Sequence, residues 1–383
     1  MREKLGIYIH IPFCERKCYY CGFLSFCERG EREQEEYISF LLKELEISGR
    51  EISYRYLCDS VFIGGGTPSI LKEGAIPRVL EKVHTSFSLS SGAEVSIEGN
   101  PNSLTRTKLN EYKRSGVNRL SIGVQAFDDH ILEKLGRVHK RHDALRAYEE
   151  ARDAGFDNIN LDLMFGVPDQ SFSSWSQDLR QVLDLCPDHL SLYTIQLEEG
   201  SSYYEEYRKG TLDFPSEQED RRMFHYGVEQ LGDAEYEHYE ISNFAKKKCR
   251  HNLKYWSLED YLGVGLGSSS YLGGSRGRNV REMNRWQEMI SRGEKPLDGD
   301  GLYQESREET ISIYCFTALR KKTGINLEDF AHRFGVQFNA YFMDKWPVLR
   351  NYQREGLLRL SEKHLALTEA GIDVSNEIMA EFI

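Results

Sequence analysis

The sequence predicts an α/β protein whose core is a parallel βα array wrapped toward a barrel, followed by a small, mainly helical module. Two observations lead to this prediction. Short apolar runs alternate with longer, charged, helix-like segments over the first two thirds of the chain, and about six of these runs are strand-like. Strands separated by helices pair in parallel through right-handed crossovers, and such sheets carry their chemistry at the carboxyl ends of the strands.

The individual elements follow in chain order. Residues 5–11 read as the first strand, and residues 31–46 form an amphipathic helix because Ile38, Leu41, Leu42 and Leu45 recur on one face. A further helix ends near Gly116. The remaining strand candidates are residues 61–63, 94–98, 119–123, 158–163 and 190–196.

The pattern changes after about Pro215. Residues 238–272 are rich in Tyr, Gly and Ser, which predicts an irregular, ligand-facing region. Helices are expected over residues 308–319, 327–333 and 341–355, and residues 357–360 and 365–367 suggest a hairpin, so the C-terminus resembles a winged helix. These changes divide the chain into a core domain (1–235), a ligand-facing extension (236–305) and a helical domain (306–383).

Composition excludes several classes of protein. The 383 residues carry 61 acidic and 49 basic side chains, and the net charge of −12 disfavours a nucleic-acid partner. With 40% hydrophobic residues the chain can bury a large core, so it is not intrinsically disordered. No run approaches the roughly 18 apolar residues of a membrane span, and no signal peptide follows Met1, so we expect a cytoplasmic protein.

Three of the eight cysteines, Cys14, Cys18 and Cys21, lie directly after the first predicted strand. Three thiolates leave one iron of a 4Fe–4S cluster without a protein ligand, and an open iron can bind a small molecule. The alternative is a zinc site completed by Cys27 or His10. The other isolated cysteines are expected to be ordinary buried thiols: Cys58, Cys186 and Cys315.

Small or polar residues end several of the predicted strands. The run Gly64-Gly65-Gly66-Thr67-Pro68 follows residues 61–63, where glycine lets the backbone approach a ligand or simply turn tightly. Glu98 and Gln125 also stand at strand ends, where they contact a ligand or cap a neighbouring helix.

Two further residues are candidates for ligand contacts. Arg137 can pair bidentately with a carboxylate, and Asp162, expected at a strand end, can accept hydrogen bonds from ribose hydroxyls. The alternative for Asp162 is a helix N-cap or a buried partner of Arg137.

The segment Tyr8-Ile-His-Ile-Pro-Phe-Cys14-x3-Cys18-x-Tyr-Cys21 closely resembles the radical S-adenosylmethionine (SAM) superfamily, whose signature is CxxxCxxC. The resemblance implies a partial (βα)6 TIM-like barrel, a 4Fe–4S cluster on the three cysteines, and SAM on the open iron. Matching positions further imply that SAM is lined by Tyr8, Tyr20, Gly22, Gly65, Gly66, Thr67, Glu98, Gln125, Arg137 and Asp162.

Leu135-Gly136-Arg137 and residues 160–168 extend the match to the coproporphyrinogen-oxidase-like branch of this superfamily. Two features depart from the oxidase, which has a fourth cysteine where this chain has Phe23 and a long extension before its cysteines. Residues 249–256 contain His251-Asn252-x-x-Tyr255-Trp256, which resembles the HNxxYW signature of the HemW-type heme chaperones.

That resemblance implies a protein that binds heme and delivers it to an apo-hemoprotein such as a membrane-associated respiratory enzyme, and it is compatible with a homodimer. His251 is the candidate heme ligand, because neutral imidazole is a common ligand of heme iron. Cys249 is an alternative ligand, and His251 with Asn252 could instead cap a packed turn. The lysines at 246–248 either pair with heme propionates or are merely solvated.

The competing function is that of an oxygen-independent coproporphyrinogen III oxidase, which uses SAM to decarboxylate propionates to protoporphyrinogen IX. The sequence leaves open whether SAM is cleaved. For the oxidase function we expect turnover of the porphyrinogen, and for the chaperone function we expect heme uptake without turnover.

Overall fold

The computed structural model describes residues 2–299 and 301–383. All six predicted strands of the array are present, and each pairs in parallel with the next. Most are longer than predicted. Their bounds are β1 (Glu3–Ile11), β2 (Tyr56–Gly65), β3 (Leu89–Gly99), β4 (Arg119–Gln125), β5 (Ile159–Phe165) and β6 (His189–Thr194).

Helices follow these strands and cover one face of the sheet. Ile7, Ile9 and Ile11 on β1 are completely buried, as are Tyr37 and Leu41 of the first helix, and all belong to one hydrophobic core. Burial of each such side chain contributes roughly 1.5–3 kcal/mol. The helices are α1 (Glu31–Ile52), α2 (Ala75–Ser86), α3 (Arg106–Arg114), α4 (Asp129–Lys134), α5 (Arg141–Asp153) and α6 (Phe172–Leu185), with a 3₁₀ turn at Pro68–Ile70.

The opposite face of the strands is polar, because successive side chains of a strand point to opposite sides. Buried polar residues on this face include Ser60 on β2, Ser96 on β3, Ser121 on β4, Asn160 on β5 and His189 on β6. An interior lined with hydrogen-bonding groups differs from a packed apolar core, and it is suited to a polar ligand.

Residues 238–272 are not irregular, and that prediction was wrong. After α7 (Ser202–Arg208) and α8 (Glu217–Asp233), they contribute to both edges of a sheet that has twelve strands within the described residues. One edge holds β7 (Glu237–Glu240) and β8 (Asn243–Ala245), of which β8 is antiparallel to β6. The other holds β9 (Tyr261–Val264), parallel to β1, and then β10 (Ser269–Leu272), β11 (Ser275–Arg278) and β12 (Tyr303–Gln304).

These edge strands span only two to four residues, too few to show an alternating pattern, so their pairing depends on tertiary contacts. Two helices lie among them: α9 (Arg250–Trp256), which contains the HNxxYW motif, and α10 (Met283–Ser291).

The C-terminal part is helical with a small sheet, as predicted. Its helices are α11 (Arg307–Ala318), α12 (Leu327–Phe334), α13 (Phe338–Tyr341), α14 (Trp346–Arg354), α15 (Glu369–Asp373) and α16 (Ser375–Ala380). The hairpin joins β14 (Leu358–Leu360) to β15 (His364–Leu367), and β13 (Ile325–Asn326) pairs with β15. The single helix expected over 341–355 is instead two, and the second begins at Trp346 with Pro347 in its first turn, where proline is favourable.

Two other findings concern the predicted burial of the isolated cysteines and the search for membrane-spanning helices. Cys58 and Cys315 are buried as expected, but Cys186 is exposed, because it ends α6 in a left-handed conformation at the surface. Among the described residues, no helix combines the length and the apolar character that crossing a bilayer requires.

Candidate functional site

The three signature cysteines lie on one loop that folds back against the end of β1. Phe26 N donates to Pro12 O at 2.7 Å, and Cys14 N donates to Phe26 O at 3.0 Å. Cys14, Cys18 and Cys21 are partly buried free thiols. Burial is the main cause that raises the pKa of Cys14, and it raises the pKa of Cys21 to about 11. Metal coordination deprotonates such thiols, so the loop offers a soft donor set that suits iron.

His10 joins this loop to the strand beneath it. Its Nε2 is hydrogen-bonded to Leu24 O at 3.0 Å, and its Nδ1 to the Tyr8 hydroxyl at 3.0 Å. Both ring nitrogens are therefore occupied. Among residues 2–299 and 301–383, no group of three His, Cys, Asp or Glu side chains is close enough to hold a single metal ion. With both nitrogens of His10 engaged, a zinc site would have to be completed by Cys27 instead.

The glycine run lies directly on the cysteine loop. Gly66 N donates to Ile11 O at 2.8 Å, Thr67 N donates to Phe13 O at 2.7 Å, and the Thr67 hydroxyl donates to Cys14 Sγ at 3.6 Å. A Cβ on Gly66 would lie 2.6 Å from Phe13 O. Gly65 has φ of +114°, and a Cβ there would overlap the His10 ring. Only glycine permits this approach.

Gly22 lies at another close approach beside the cysteines. A Cβ on Gly22 would lie 2.7 Å from Cβ of Glu198, on the segment after β6. Glycine at this position therefore lets the cysteine loop pack against the opposite side of the array.

Arg137 provides the clearest ligand-binding feature of the site. Its Nη1 donates to Cys18 Sγ at 3.4 Å, and its Nη2 donates to Asn100 Oδ1 at 2.7 Å and to Gly123 O at 2.6 Å. Its Nε is buried and has no acceptor among the described residues. A buried cationic N–H without a partner beside a signature cysteine fits an anionic group such as the SAM carboxylate.

Two other predicted SAM contacts also lie near these residues. Tyr20 is beside Cys18, and burial is the main cause that raises its pKa. Glu98 Oε2 accepts a hydrogen bond from Gly65 N at 3.1 Å, and burial, with a smaller contribution from Asp162, raises the Glu98 pKa to about 7.

Gln125, at the end of β4, has φ of +68° and is almost fully buried. A side chain larger than glycine rarely adopts this conformation, which costs about 1–3 kcal/mol and is concentrated at functional sites.

Asp162 is not at a strand end, and that expectation was wrong. It lies in the middle of β5, opposite Gly123 of β4. Its carboxylate accepts hydrogen bonds from Asn160 Nδ2 at 2.8 Å and from Ser121 Oγ at 3.4 Å. Burial is the main cause that raises its pKa. The partners show that Asp162 belongs to the polar interior network and is not an N-cap or the hydrogen-bonded partner of Arg137.

The HNxxYW motif does not present His251 to a ligand. His251 is completely buried, with Nδ1 2.9 Å from Ser60 Oγ and Nε2 2.9 Å from the Tyr255 hydroxyl. Its ring stacks on Phe62 at 5.3 Å between centroids, and burial lowers its pKa to about 3. Neither nitrogen is free for iron in this conformation, so the geometry does not support His251 as the heme ligand.

Cys249 is equally unsuited to bind heme in this structure. It is completely buried, its Sγ lies 3.6 Å from Glu94 Oε1, and burial raises its pKa to about 12. Glu94, which positions the helix that carries the motif, is a residue that the sequence analysis missed. Its carboxylate also accepts from Arg250 N and His251 N, each at 3.0 Å, and so caps the N-terminus of α9.

The lysines at 246–248 are exposed and contact neighbouring side chains. Lys246 lies over the Tyr236 ring at 4.6 Å, Lys247 pairs with Asp188 at 3.4 Å, and Lys248 pairs with Glu237 at 2.6 Å. Lys246 N also donates to Asp188 O, which immediately precedes β6. The run therefore lies at the amino ends of the strands, away from the cysteine loop.

A cavity of about 390 Å³ opens beside the cysteine loop, at the carboxyl ends of the strands. It brings together residues that are far apart in the sequence, including Tyr255 of the HNxxYW motif. It also includes two arginines that the sequence analysis missed. The lining residues are Tyr8, His10, Gly22, Phe23, Leu24, Tyr255, Tyr261, Gly267, Ser268, Ser269, Arg278 and Arg281.

Comparison with known proteins places these features in a family. The radical SAM superfamily model matches residues 8–182, and the HemN C-terminal domain model matches residues 307–374. The heme chaperone HemW of Bacillus subtilis is 36% identical and covers 98% of both chains. The heme chaperone HemW of Lactococcus lactis is 32% identical, covering 100% of this chain and 98% of its own.

Among solved structures, coproporphyrinogen III oxidase (HemN) from Escherichia coli superimposes with a TM-score of 0.87 at 23% identity, covering 100% of this chain and 90% of the oxidase. This likeness confirms the predicted α/β fold with a small C-terminal domain. Membership of the radical SAM superfamily implies a 4Fe–4S cluster and SAM. From the full-length similarity to its relatives, the chain belongs to the HemW heme chaperone family of radical SAM proteins.

Proposed function

We propose that this protein binds heme beside a 4Fe–4S cluster and SAM, and passes the heme to an apo-hemoprotein such as a respiratory enzyme at the membrane. Its full-length relatives from two bacteria carry the name heme chaperone. The observation that supports the proposal most directly is the cavity of about 390 Å³ beside the cysteine loop, which has aromatic side chains on its walls. Clefts of this size that combine apolar walls with a few polar groups are typical ligand sites.

In this proposal, Cys14, Cys18 and Cys21 would hold the cluster. A reduced cluster bound there would supply an electron for chemistry at the SAM sulfonium. The chain's own residues hold and orient SAM. Gly65 and Gly66 allow close approach, and the other contacts are Tyr8, Tyr20, Gly22, Thr67, Glu98, Gln125, Arg137 and Asp162.

Arg137 carries the most specific part of the SAM assignment. Its Nη2 donates to Asn100 and Gly123 and its Nη1 to Cys18, so the guanidinium is fixed before the ligand arrives. An anionic group bound beside it would give the unpartnered Nε an acceptor.

His251 has an indirect role in the proposed heme site. Its Nε2 is hydrogen-bonded to the hydroxyl of Tyr255, and Tyr255 lines the cavity. His251 is therefore a positioning residue for one wall of the cavity. The HNxxYW motif can thus contribute to heme binding without direct contact between His251 and the heme.

No observation specifically favours the oxidase alternative. The likeness to the solved oxidase is at 23% identity and shows the fold alone. Phe23, which stands where the oxidase has a fourth cysteine, is 69% exposed and contributes an apolar ring to the cavity. An exposed aromatic ring beside a cavity suits binding of a flat ligand.

The proposal is tested with anaerobically reconstituted protein. We expect heme titration to give a saturable complex with a Soret band, and the loaded protein to pass heme to apomyoglobin, used as a generic acceptor. Absence of saturable binding would overturn the proposal. Formation of protoporphyrinogen IX from coproporphyrinogen III with SAM and a reductant would establish the oxidase function instead.

A further inference from the structure

Two arginines on the rim of the cavity, Arg278 and Arg281, have no role in the features described above. Both are exposed, and neither makes an ion pair or side-chain hydrogen bond with any residue in 2–299 or 301–383. Arg276, two residues before Arg278, pairs with the Glu305 carboxylate at 2.6 Å and is therefore already neutralised. Arg278 and Arg281 are thus the cations of this edge that remain available to an anionic ligand.

The topology places these arginines beside the cluster loop. Arg278 ends β11 opposite Ser269, which begins β10 at the carboxyl side of the array. A Cβ on Gly267 would lie 2.6 Å from the Leu24 side chain and 3.5 Å from Cγ of Arg281. Because Leu24 follows Cys21 by three residues, both the arginines and the cysteine loop border the same opening.

The walls of this opening are aromatic. Tyr255 and Tyr261 pack edge to face with ring centroids 4.6 Å apart, and Tyr8 and Phe23 also line the cavity. A site with aromatic walls and two free guanidinium groups on one rim is complementary to a flat apolar ligand that carries carboxylates on one edge.

We propose that Arg278 and Arg281 bind the two propionate carboxylates of a tetrapyrrole whose macrocycle occupies this cavity. The inference rests on the proposed heme function and adds to it the recognition of the propionate side chains. The planar guanidinium group matches a carboxylate bidentately, which favours the dicarboxylic ligand over its esters. The lysines at 246–248 lie at the opposite ends of the strands and do not line this cavity.

The test compares heme with its dimethyl ester on three forms of the full-length, reconstituted protein. These are the unchanged protein, the double variant Arg278→Gln with Arg281→Gln, and the control Arg292→Gln. Arg292 is a suitable control because it is an exposed arginine, 54% accessible, that pairs with Glu288 on α10 and does not line the cavity. Thermal unfolding should be unchanged in the double variant, since its arginines have no partners to lose.

We expect the double substitution to raise the Kd for heme about tenfold, equivalent to about 1.4 kcal/mol, because each exposed ion pair contributes only modestly. The Kd for the dimethyl ester should be the same in all three proteins, and the control should bind heme normally. Binding of heme that is equally tight in the double variant would overturn the inference and leave the heme function intact. Failure of the unchanged protein to bind heme would refute both.

Discussion

The substitution His251→Ala tests whether this histidine is a structural residue or a ligand. Removing the ring leaves Ser60 Oγ and the Tyr255 hydroxyl without their partner. Ser60 is completely buried, so its unpaired hydroxyl costs about 1–3 kcal/mol. The lost packing of the ring on Phe62 adds a comparable cost. The unpaired Tyr255 hydroxyl adds little, because Tyr255 is partly exposed and water can reach it. We expect the free energy of unfolding to fall by about 3 kcal/mol at pH 8.

The pH dependence of this loss provides a second, independent signature. Burial holds the pKa of His251 at about 3 in the folded protein, below its ordinary value of 6.5. Below pH 6.5 the unfolded chain therefore binds a proton that the folded chain does not, and the unchanged protein loses stability as the pH falls from 6.5 toward 3. The His251→Ala variant has no histidine to protonate at this position. The difference in free energy of unfolding between the unchanged protein and the variant should therefore be about 1.4 kcal/mol smaller at pH 5.5 than at pH 8.

The assay is urea unfolding at pH 8 and pH 5.5, followed by circular dichroism, with heme titration of the same samples at pH 8. Asn252→Ala is the matched control, because Asn252 is the next residue of the motif and its side chain makes no hydrogen bond within the described chain. It should change stability by less than 1 kcal/mol. A His251→Ala protein that keeps its stability at both pH values but loses its heme complex would refute the structural role.

Three further sets of substitutions test the cluster and SAM regions. Replacing Cys14, Cys18 or Cys21 with Ala should abolish the iron–sulfur absorbance, whereas the control Cys186→Ala, at the exposed end of α6, should retain it. A full cluster in all three signature-cysteine variants would contradict the assignment. Glu98→Ala and Asp162→Ala should weaken SAM binding in calorimetry while leaving the cluster absorbance, and unchanged affinity in both would count against their assignment as SAM contacts. Gly65→Ala should destabilise the protein by about 2 kcal/mol more than Gly116→Ala in urea unfolding. Both glycines have φ near +100°, but only Gly65 faces another side chain. Equal losses of unfolding free energy in the two variants would show that backbone strain alone matters.

The central array could be predicted because its signals are local. Each strand of the array has an apolar run, and the helix-like segments between the strands imply parallel crossovers. The same logic brings the cysteine loop and the glycine run together, since they follow the neighbouring strands β1 and β2. The contact between Cys14 and Thr67 therefore follows from the order of the predicted strands in the sequence.

The parts that could not be predicted depend on pairings between distant residues. Glu94 caps α9 across more than 150 positions, and nothing beside Glu94 in the sequence indicates this role. Arg278 and Arg281 reach the cavity through β10 and β11, short strands without an alternating pattern. Asp162 was misplaced because β5 continues to Phe165, beyond its predicted end.

The histidine of the HNxxYW motif illustrates why a motif does not by itself define a contact. Helix α9 directs its side chains to three different surroundings: His251 into the polar interior, Tyr255 to the cavity, and Trp256 toward the C-terminal domain. The Trp256 ring lies 4.4 Å from the Arg320 guanidinium, and Arg333 donates to Leu258 O at 2.6 Å just after the helix. Substitution of any motif residue can therefore alter the cavity through the position of α9. Heme binding by such variants is informative only when their stability is measured alongside it.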